Sequence, residues 1–333
     1  MHILVTGGLG FIGSNFVRHV LKTNKADEIT SLDVMSYGSN PSNVADLVSN
    51  KCYRFVKGDI SDESILEPLV AEADIVVNFA AETHVDRSLS SSVPFIRSNV
   101  LGVHRILESL RSVNGRTRFI QIGTDEEYGE ISKGSFIETD TLTPSSPYAA
   151  TKASASMLVM AYARTYGLHA MITRCTNNFG PYQFPEKLIP KTIIRAHLGL
   201  AVPVYGDGLN SRDWIHVEDH CEAVDLVLRK GKSGSIYNIA GGNELTNLEL
   251  VRMILKEMNK PESMIEFVED RPGHDRRYSI DDGKIRRELG WRPKHDFEPG
   301  LKETIQWYLN NEAWWRPIAN EKTLSPAPWK LEW

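Results

Sequence analysis

The chain has 333 residues, 41% of them hydrophobic, and a formal net charge of −5. That length supports a sizeable core and more than one lobe, and the absence of any lysine–arginine block argues against a nucleic-acid partner. Three scattered cysteines, Cys52, Cys175 and Cys221, show neither metal-ligand spacing nor a disulfide framework, and no run reaches membrane-spanning length, so a reducing cytoplasm and no metal are expected.

The opening "HILVTGGLGFIGSNFVRHVLK" reads as strand, tight turn and helix, with helical spacing at Phe16, Val17, Val20 and Leu21. Gly8, Gly10 and Gly13 satisfy G-x-G-x-x-G, and Gly7, Gly10 and Gly13 satisfy the G-x-x-G-x-x-G variant. Glycines at such a turn let a pyrophosphate reach backbone N–H groups at a helix N-terminus. A second strand, "EITSLDV", ends near Asp33, where a carboxylate accepts hydrogen bonds from an adenosine ribose and repels a 2′-phosphate, which favours NAD over NADP. A third, "YRFVKGDIS", ends in Asp59 and Ile60, an edge suited to an adenine ring. The strand-like runs "DIVVNFAAE" and "RFIQIGTD" follow, separated by the helix-like "VPFIRSNVLGVHRILESLRSV". This alternation predicts a doubly wound parallel sheet, an α/β Rossmann fold, with ligands beyond the carboxyl ends of its strands.

"GTDEEYGE" (123–130) stands at one of those ends and places three like charges in a row. "PSSPYAATKASASMLVMAYARTYG" then predicts a helix carrying Tyr148 and Lys152 on one face, four residues apart. An ammonium and a nicotinamide cation beside a phenol favour the phenolate, so Tyr148 reads as the base of a hydride transfer. A ketone made that way acidifies the neighbouring C–H bond. Glu126 then reads as the carbon base, and Asp125 as the general acid for a leaving hydroxyl, because two close carboxyls separate their pKa values. A solvated acidic loop is the plain alternative.

From about Thr176, "NNFGPYQFPEKLIP" has the composition of a positioned loop, and "IPKTIIRAHLG" is helix-like. "DWIHVEDHCEAVDLVLRKG" is read as a helix returning to the first lobe, "SIYNIAGG" as a late strand, and "TNLELVRMILKEMNK" and "PGLKETIQWYLNNEAWW" as helices of a smaller mixed α/β substrate-binding lobe. The expected division is discontinuous: residues 1–175 plus about 214–242 for the dinucleotide, and about 176–213 plus 243–316 for the substrate. A tail, 317–333, has prolines and tryptophans without periodicity, docked or free.

The segments "TGGLGFIGSN", "FAAETHVDRS", "TDEEYG", "YAATKAS", "RCTNNFGPYQFPEKLIP", "RDWIHVEDH" and "DRPGHDRRY" together resemble the extended short-chain dehydrogenase/reductase superfamily. Within it the chain is most similar to the nucleotide-sugar 4,6-dehydratases, above all those acting on dTDP-linked glucose. The resemblance implies a redox-neutral cycle at Thr124, Asp125, Glu126, Tyr148 and Lys152. It implies cofactor contacts from Phe11 and Ile12, from Asp33, Val34, Met35 and Ser36, and from Asp59 and Ile60. Phe79, Ala80, Ala81, Ser98, Tyr148, Lys152 and Asn178 complete that set. Sugar and diphosphate contacts map onto Thr83, Thr124, Asn177, Lys187, Leu188, Arg212 and Asn247, and the base pocket onto Pro203 and Tyr205, with Arg271 and His274 closing on the nucleotide. A homodimer through the helix bearing Tyr148 is also implied; Met157, Leu158, Met160 and Ala161 suit that contact, and equally suit an ordinary core. Epimerases and decarboxylases of the superfamily typically lack the Asp–Glu pair and remain the nearest rivals, beside an NAD-binding regulatory protein without catalysis. Several positions depart from the family pattern: Glu127 in place of valine, Gly123 in place of serine and Phe179 in place of tyrosine, with Ser211, His216 and Ala201 also standing in otherwise well-matched segments. Glu127 is expected to turn away from the cleft, and its replacement by valine to change turnover little.

Overall fold

The computed structural model describes residues 1–24, 27–113 and 117–332. A seven-stranded parallel sheet carries the N-terminal half: β1 (His2–Thr6), β2 (Glu28–Asp33), β3 (Tyr53–Lys57), β4 (Ile75–Asn78), β5 (Arg118–Thr124), β6 (Ala170–Cys175) and β10 (Ile236–Ile239), in the order β10-β6-β5-β4-β1-β2-β3. Its inner strands are apolar nearly throughout, as in "HILV" and "DIVV", because helices cover both faces and leave neither side to water. Register brings Ile3 beside Ile29 on one side and Ile75 on the other.

Helices α1 (Phe11–Thr23) and α8 (Val217–Lys230) cover one face, where Phe16, Val17 and Val20 pack with Val224, Val227 and Leu228. Helices α2 (Glu63–Glu72), α5 (Val103–Ser112) and α6 (Pro147–Tyr166) cover the other through Leu66, Ile106, Leu107, Ala155 and Val159. Burying each such aliphatic side chain contributes about 1.5–3 kcal/mol. Between β1 and β4 the strand order reverses, which opens a crevice at the carboxyl ends.

The remaining chain builds a smaller layer from β7 (Asn177–Phe179), β9 (Ser211–His216) and β11 (Glu244–Thr246), the ribbon of β8 (Val202–Tyr205) with β12 (Ile265–Val268), and helices α7 (Leu188–His197), α9 (Asn247–Glu257) and α11 (Phe297–Asn310). Local chemistry sets these ends. Thr246 and Glu249 form a reciprocal capping box at the start of α9. The side chain of Ser146 accepts the N–H of Ala149 at 3.1 Å to start α6, and Gly167, in the left-handed region at φ +68°, ends it.

Two readings of the sequence need correction. "DWIH", read as the start of a helix, belongs to β9, because pairing with β7 and β11 outweighs local helical spacing, and α8 begins only at Val217. "VPFIRSNV" is not an unbroken α-helix: a π-helical stretch, Ile96–Gly102, interrupts it before α5. That widening turns Ser98 to the crevice while Asn99, buried, donates to Thr151 at 3.0 Å and accepts from the N–H of Glu82 at 2.9 Å.

The C-terminal segment is docked. Leu324 and Thr323 are buried, Arg195 and Lys191 donate to the carbonyls of Leu324 and Ser325 at 2.7 and 3.1 Å, and Trp329 packs edge-on against Tyr205 with ring centres 4.7 Å apart. Its last residue, 333, lies outside the described residues.

Candidate active site

The crevice is a cavity of about 510 Å³ running from the β1–α1 turn to the end of β6. At its far end Gly7 holds φ +71°, and a Cβ there would stand 2.6 Å from the backbone nitrogen of Ala80. Only glycine lets the turn lie against β4 in this way. Helix α1 starts at Gly10 with no side-chain cap and no acidic residue in its first turn, so its leading N–H groups face the crevice free to meet an anion. Asp33 closes β2 and is already a structural acceptor: it takes the N–H of Leu9 at 3.0 Å, the N–H of Met35 at 2.8 Å and the hydroxyl of Ser39 at 2.8 Å. These bonds aim the carboxylate at the space beside the glycine turn.

Gly7, Gly10, Phe11, Ile12, Gly13, Asp33, Val34, Ser36, Asp59, Ile60, Phe79, Ala80, Ala81, Ser98, Tyr148, Lys152 and Asn178 all line this cavity. Met35 does not; it sits at φ +61° with its side chain exposed, and only its backbone N–H serves the site, through Asp33. Uncapped helix, glycine turn and ribose-facing carboxylate suit a dinucleotide in one continuous trough.

Thr124, Asp125 and Glu126 enter the same cavity where β5 ends. The Thr124 hydroxyl donates to Asp125 Oδ1 at 3.1 Å, and the side-chain oxygen accepts the N–H of Glu126 at 3.4 Å. Asp125 Oδ2 and Glu126 Oε2 are buried with no hydrogen-bond partner among the described residues, a costly state that a bound polar ligand would relieve. Burial, then the neighbouring Glu126, raises the Asp125 carboxyl to about 8. Burial also raises Glu126, opposed by Arg271, Arg212 and Lys187. Asp125 is therefore protonated at neutral pH, and at Glu126 three cations offset part of what burial does.

Tyr148 lies within hydrophobic contact of Val85 and Phe95, and burial pushes its phenol well above the ordinary value, helped by Glu126. Lys152 points its ammonium at the carbonyl of Ile122, 2.5 Å away. Burial and the surrounding acids oppose the phenolate, and Lys152 together with a nicotinamide cation in the trough would favour it.

A second cavity of about 180 Å³ joins the first through Thr83, Glu126, Asn177 and Lys187. It is lined by Leu188, Pro203, Tyr205, Arg212, Asn247, Arg271 and His274. Asp86, which spacing alone did not single out, organises it: Arg271 pairs with Asp86 Oδ1 at 2.8 Å and the Tyr205 hydroxyl donates to Oδ2 at 3.0 Å. Burial opposes ionisation of Asp86, yet His84 and Arg271 hold its carboxyl near 2. Arg212 lies over the ring of Tyr278 at 4.3 Å and donates to the carbonyl of Asp275 at 2.9 Å. Glu186, another residue missed, accepts from Tyr37 at 2.6 Å between the two cavities. Both acids lie inside quoted motifs, "FAAETHVDRS" and "FPEKLIP", which was the available signal.

The departures also find places. Phe179 is buried against His216 and Phe297, ring centres 5.3 Å away in each case, where a phenolic hydroxyl has no need to stand. Glu127 does turn from the cleft, but not to water: it forms a fully buried ion pair with Arg174 at 2.8 Å. Its replacement by valine strands a buried guanidinium, a cost in stability. Near the start of α8, His295 places one ring nitrogen 2.9 Å from Asp219 and the other 3.5 Å from Glu218. These carboxylates raise it to about 10, the state of an imidazolium.

A parallel sheet with a dinucleotide trough, a Tyr–Lys helix and an acid pair at the trough's mouth defines a nucleotide-dependent enzyme of the doubly wound class that combines redox with acid–base chemistry. The chain belongs to the GDP-mannose 4,6 dehydratase family, whose model matches residues 4–304. It is 48% identical over 332 residues to the dTDP-glucose 4,6-dehydratase of Streptomyces niveus, covering 98% of both chains. It is 51% identical over 312 residues to the low-salt glycan biosynthesis protein Agl12 of Haloferax volcanii, covering 94% of this chain and all of that one. The crystal structure of the dTDP-glucose 4,6-dehydratase DesIV from Streptomyces venezuelae with NAD and TYD bound superposes with a TM-score of 0.94 at 47% identity, over 96% of this chain and all of that one. A UDP-glucuronic acid 4-epimerase from Bacillus cereus, in complex with UDP-glucuronic acid and NAD, is similar at 26% identity and a TM-score of 0.87, over 93% of this chain and 99% of that one.

Proposed function

We propose that this protein dehydrates a nucleoside-diphosphate glucose, dTDP-glucose, to the 4-keto-6-deoxy sugar with NAD as a resident cofactor. The observation that carries the reading is the Asp125–Glu126 pair, standing beside Tyr148 where the dinucleotide trough meets the smaller cavity. The glycine turn, Asp33 and the residues lining the trough would hold NAD, which would supply reversible two-electron storage between C4 and C6 of the sugar.

Tyr148 takes the proton of the 4-hydroxyl, with Thr124 bonded to that oxygen. The C4 ketone acidifies C5–H, and Glu126, whose carboxyl is raised by burial against the opposing charges of Arg271, Arg212 and Lys187, removes that proton. Asp125, raised to about 8, is a proton donor at neutral pH and protonates the departing 6-hydroxyl. Reprotonation at C5 then leaves the 4-keto-6-deoxy sugar still joined to its nucleotide. Lys187, Arg212 and Arg271 neutralise the diphosphate, and Tyr205, held by Asp86, offers a ring to the base.

Residues 1–175 with about 214–242 form the cofactor lobe in this reading, and 176–213 with 243–316 the sugar lobe. The exposed apolar Val93, Ile96, Leu101 and Met157 support a homodimer, for which Leu158 and Met160 are less available because they pack on the sheet; a monomeric mass by light scattering contradicts it. No helix among the described residues is long and apolar enough to cross a membrane, and the buried thiols of Cys175 and Cys221 favour the cytoplasm. Incubation with dTDP-, UDP-, CDP- and GDP-glucose tests the function. A 4-keto-6-deoxy product, read by its absorbance in alkali, is expected with dTDP-glucose, whereas an epimerised sugar, or none, overturns it.

A further inference from the structure

Glu127 is buried away from both cavities, yet it touches three elements that the chemistry must hold together. Its Oε1 accepts the N–H of Thr124, at the end of β5, at 3.1 Å. Its Oε2 accepts the hydroxyl of Ser156, on α6, at 2.7 Å, and Nε of Arg174, on β6, at 2.8 Å. Ser156 follows Lys152 by four residues and Tyr148 by eight, so all three share a helical face. The far end of the guanidinium donates to the Tyr128 hydroxyl at 2.8 Å, which donates in turn to Asn238 at 2.9 Å. Gly123 makes room for the carboxylate: a Cβ there would stand 2.5 Å from Glu127 Oε1 and 2.9 Å from the carbonyl of Thr173.

We propose that Glu127 is a positioning residue for the oxidation step: it clamps the helix bearing Tyr148 and Lys152 to the strand end bearing Thr124, Asp125 and Glu126, and supplies the buried negative charge facing that helix. A solvated or merely space-filling acid would not be spread over three elements with both oxygens engaged.

The charges around the clamp fix what its loss does. Burial lowers Lys152, while Glu127 and then Cys175 raise it. Burial raises Tyr148, joined by Glu126, Cys175, Glu127 and Asp125. On the strand side, burial opposes the charge of Arg174, and Glu127 and Tyr128 hold it above its usual value; from β9, Arg212 faces Asp125 and Glu126. Removing the negative charge of Glu127 therefore lets Lys152 and Tyr148 both lose their protons at lower pH.

The choice of activity assay rests on the dehydratase reading; the lysine titration below does not. Glu127→Gln keeps the shape and removes the charge. The expected result is a kcat profile for dTDP-glucose moved to lower pH by about one unit, with KM little changed, and a Lys152 amine resonance in 15N-lysine-labelled protein without substrate that titrates lower by a similar amount. Ser156→Ala keeps the ion pair and loosens the clamp, so kcat falls with the profile in place. A Glu127→Gln loss equal at every pH, with the Lys152 resonance unmoved, overturns the proposal. Should Glu127→Gln not fold, the doubly neutral Glu127→Gln/Arg174→Gln protein, which strands no charge, is read in the same way, and an unmoved resonance there overturns it as well. If the wild type does not dehydrate the sugar, the functional reading falls while the lysine titration still decides the role of Glu127.

Discussion

Replacing Glu127 by valine separates two accounts of this position. A side chain idling at the edge of the cleft would cost little to replace. The structure instead pairs it with Arg174 at 2.8 Å, with side-chain exposures of 0% and 3%, and Glu127→Val leaves that guanidinium buried with the hydroxyl and ring of Tyr128 beside it and no carboxylate bonded to it among the described residues. Removing one member of a buried pair costs about 3–5 kcal/mol, and the Thr124 N–H and Ser156 hydroxyl lose an acceptor too. Urea denaturation followed by far-ultraviolet circular dichroism should show the midpoint falling with the slope unchanged. Glu127→Val, Arg174→Met and the double variant complete a cycle, in which the double variant should be more stable than the sum of the single losses implies. A loss below about 1 kcal/mol for Glu127→Val, or strict additivity, refutes the reasoning.

Asp125 is raised to about 8 by burial and Glu126. A group whose folded pKa lies above its unfolded one stabilises fully below the unfolded value and loses that contribution as pH rises through the folded one. The wild type should therefore lose stability relative to Asp125→Asn between about pH 4 and 8 in thermal melts, while Asp125→Asn loses at least 100-fold in kcat, the low end for a general acid, roughly 10²–10⁴. The same sign governs His295, raised to about 10 by Asp219 and Glu218: the melting temperature should fall from about pH 6.5 to 10, and His295→Gln should flatten that fall. Deleting residues 319–333 removes Trp329 from the ring of Tyr205 and should raise KM for the nucleotide sugar about tenfold with kcat within about twofold, by initial-rate measurement; an unchanged KM shows that the tail does not brace the base pocket.

What the sequence disclosed and what it withheld divide along physical lines. Gly7, Gly10 and Gly13 announce their turn because backbone approach tolerates no side chain there, and Asp33, Asp125 and Glu126 are found by standing at strand ends, a property of position along the chain. The ion pair of Glu127 with Arg174 joins residues 47 apart, and that of Asp86 with Arg271 residues 185 apart; no local spacing encodes either. "DWIH" was misread because three strands pairing across the small sheet outweigh local periodicity. For a related reason, i,i+4 spacing reports that two side chains share a face, not where an ammonium turns, and Lys152 turns to the carbonyl of Ile122. The proline- and tryptophan-rich tail showed no period because it is held by backbone carbonyls, the buried Leu324, an ion pair of Lys330 with Glu269 and the ring of Trp329 rather than by an amphipathic face.

In this mechanism hydrogen removed at one sugar carbon is restored at another within a single turnover. dTDP-glucose carrying deuterium at C4, incubated with the protein and analysed by mass spectrometry and NMR, tests it directly. Deuterium retained and found at C6 of the 4-keto-6-deoxy product is the predicted result. Deuterium returned to C4 of an epimerised sugar, or lost to solvent, contradicts it.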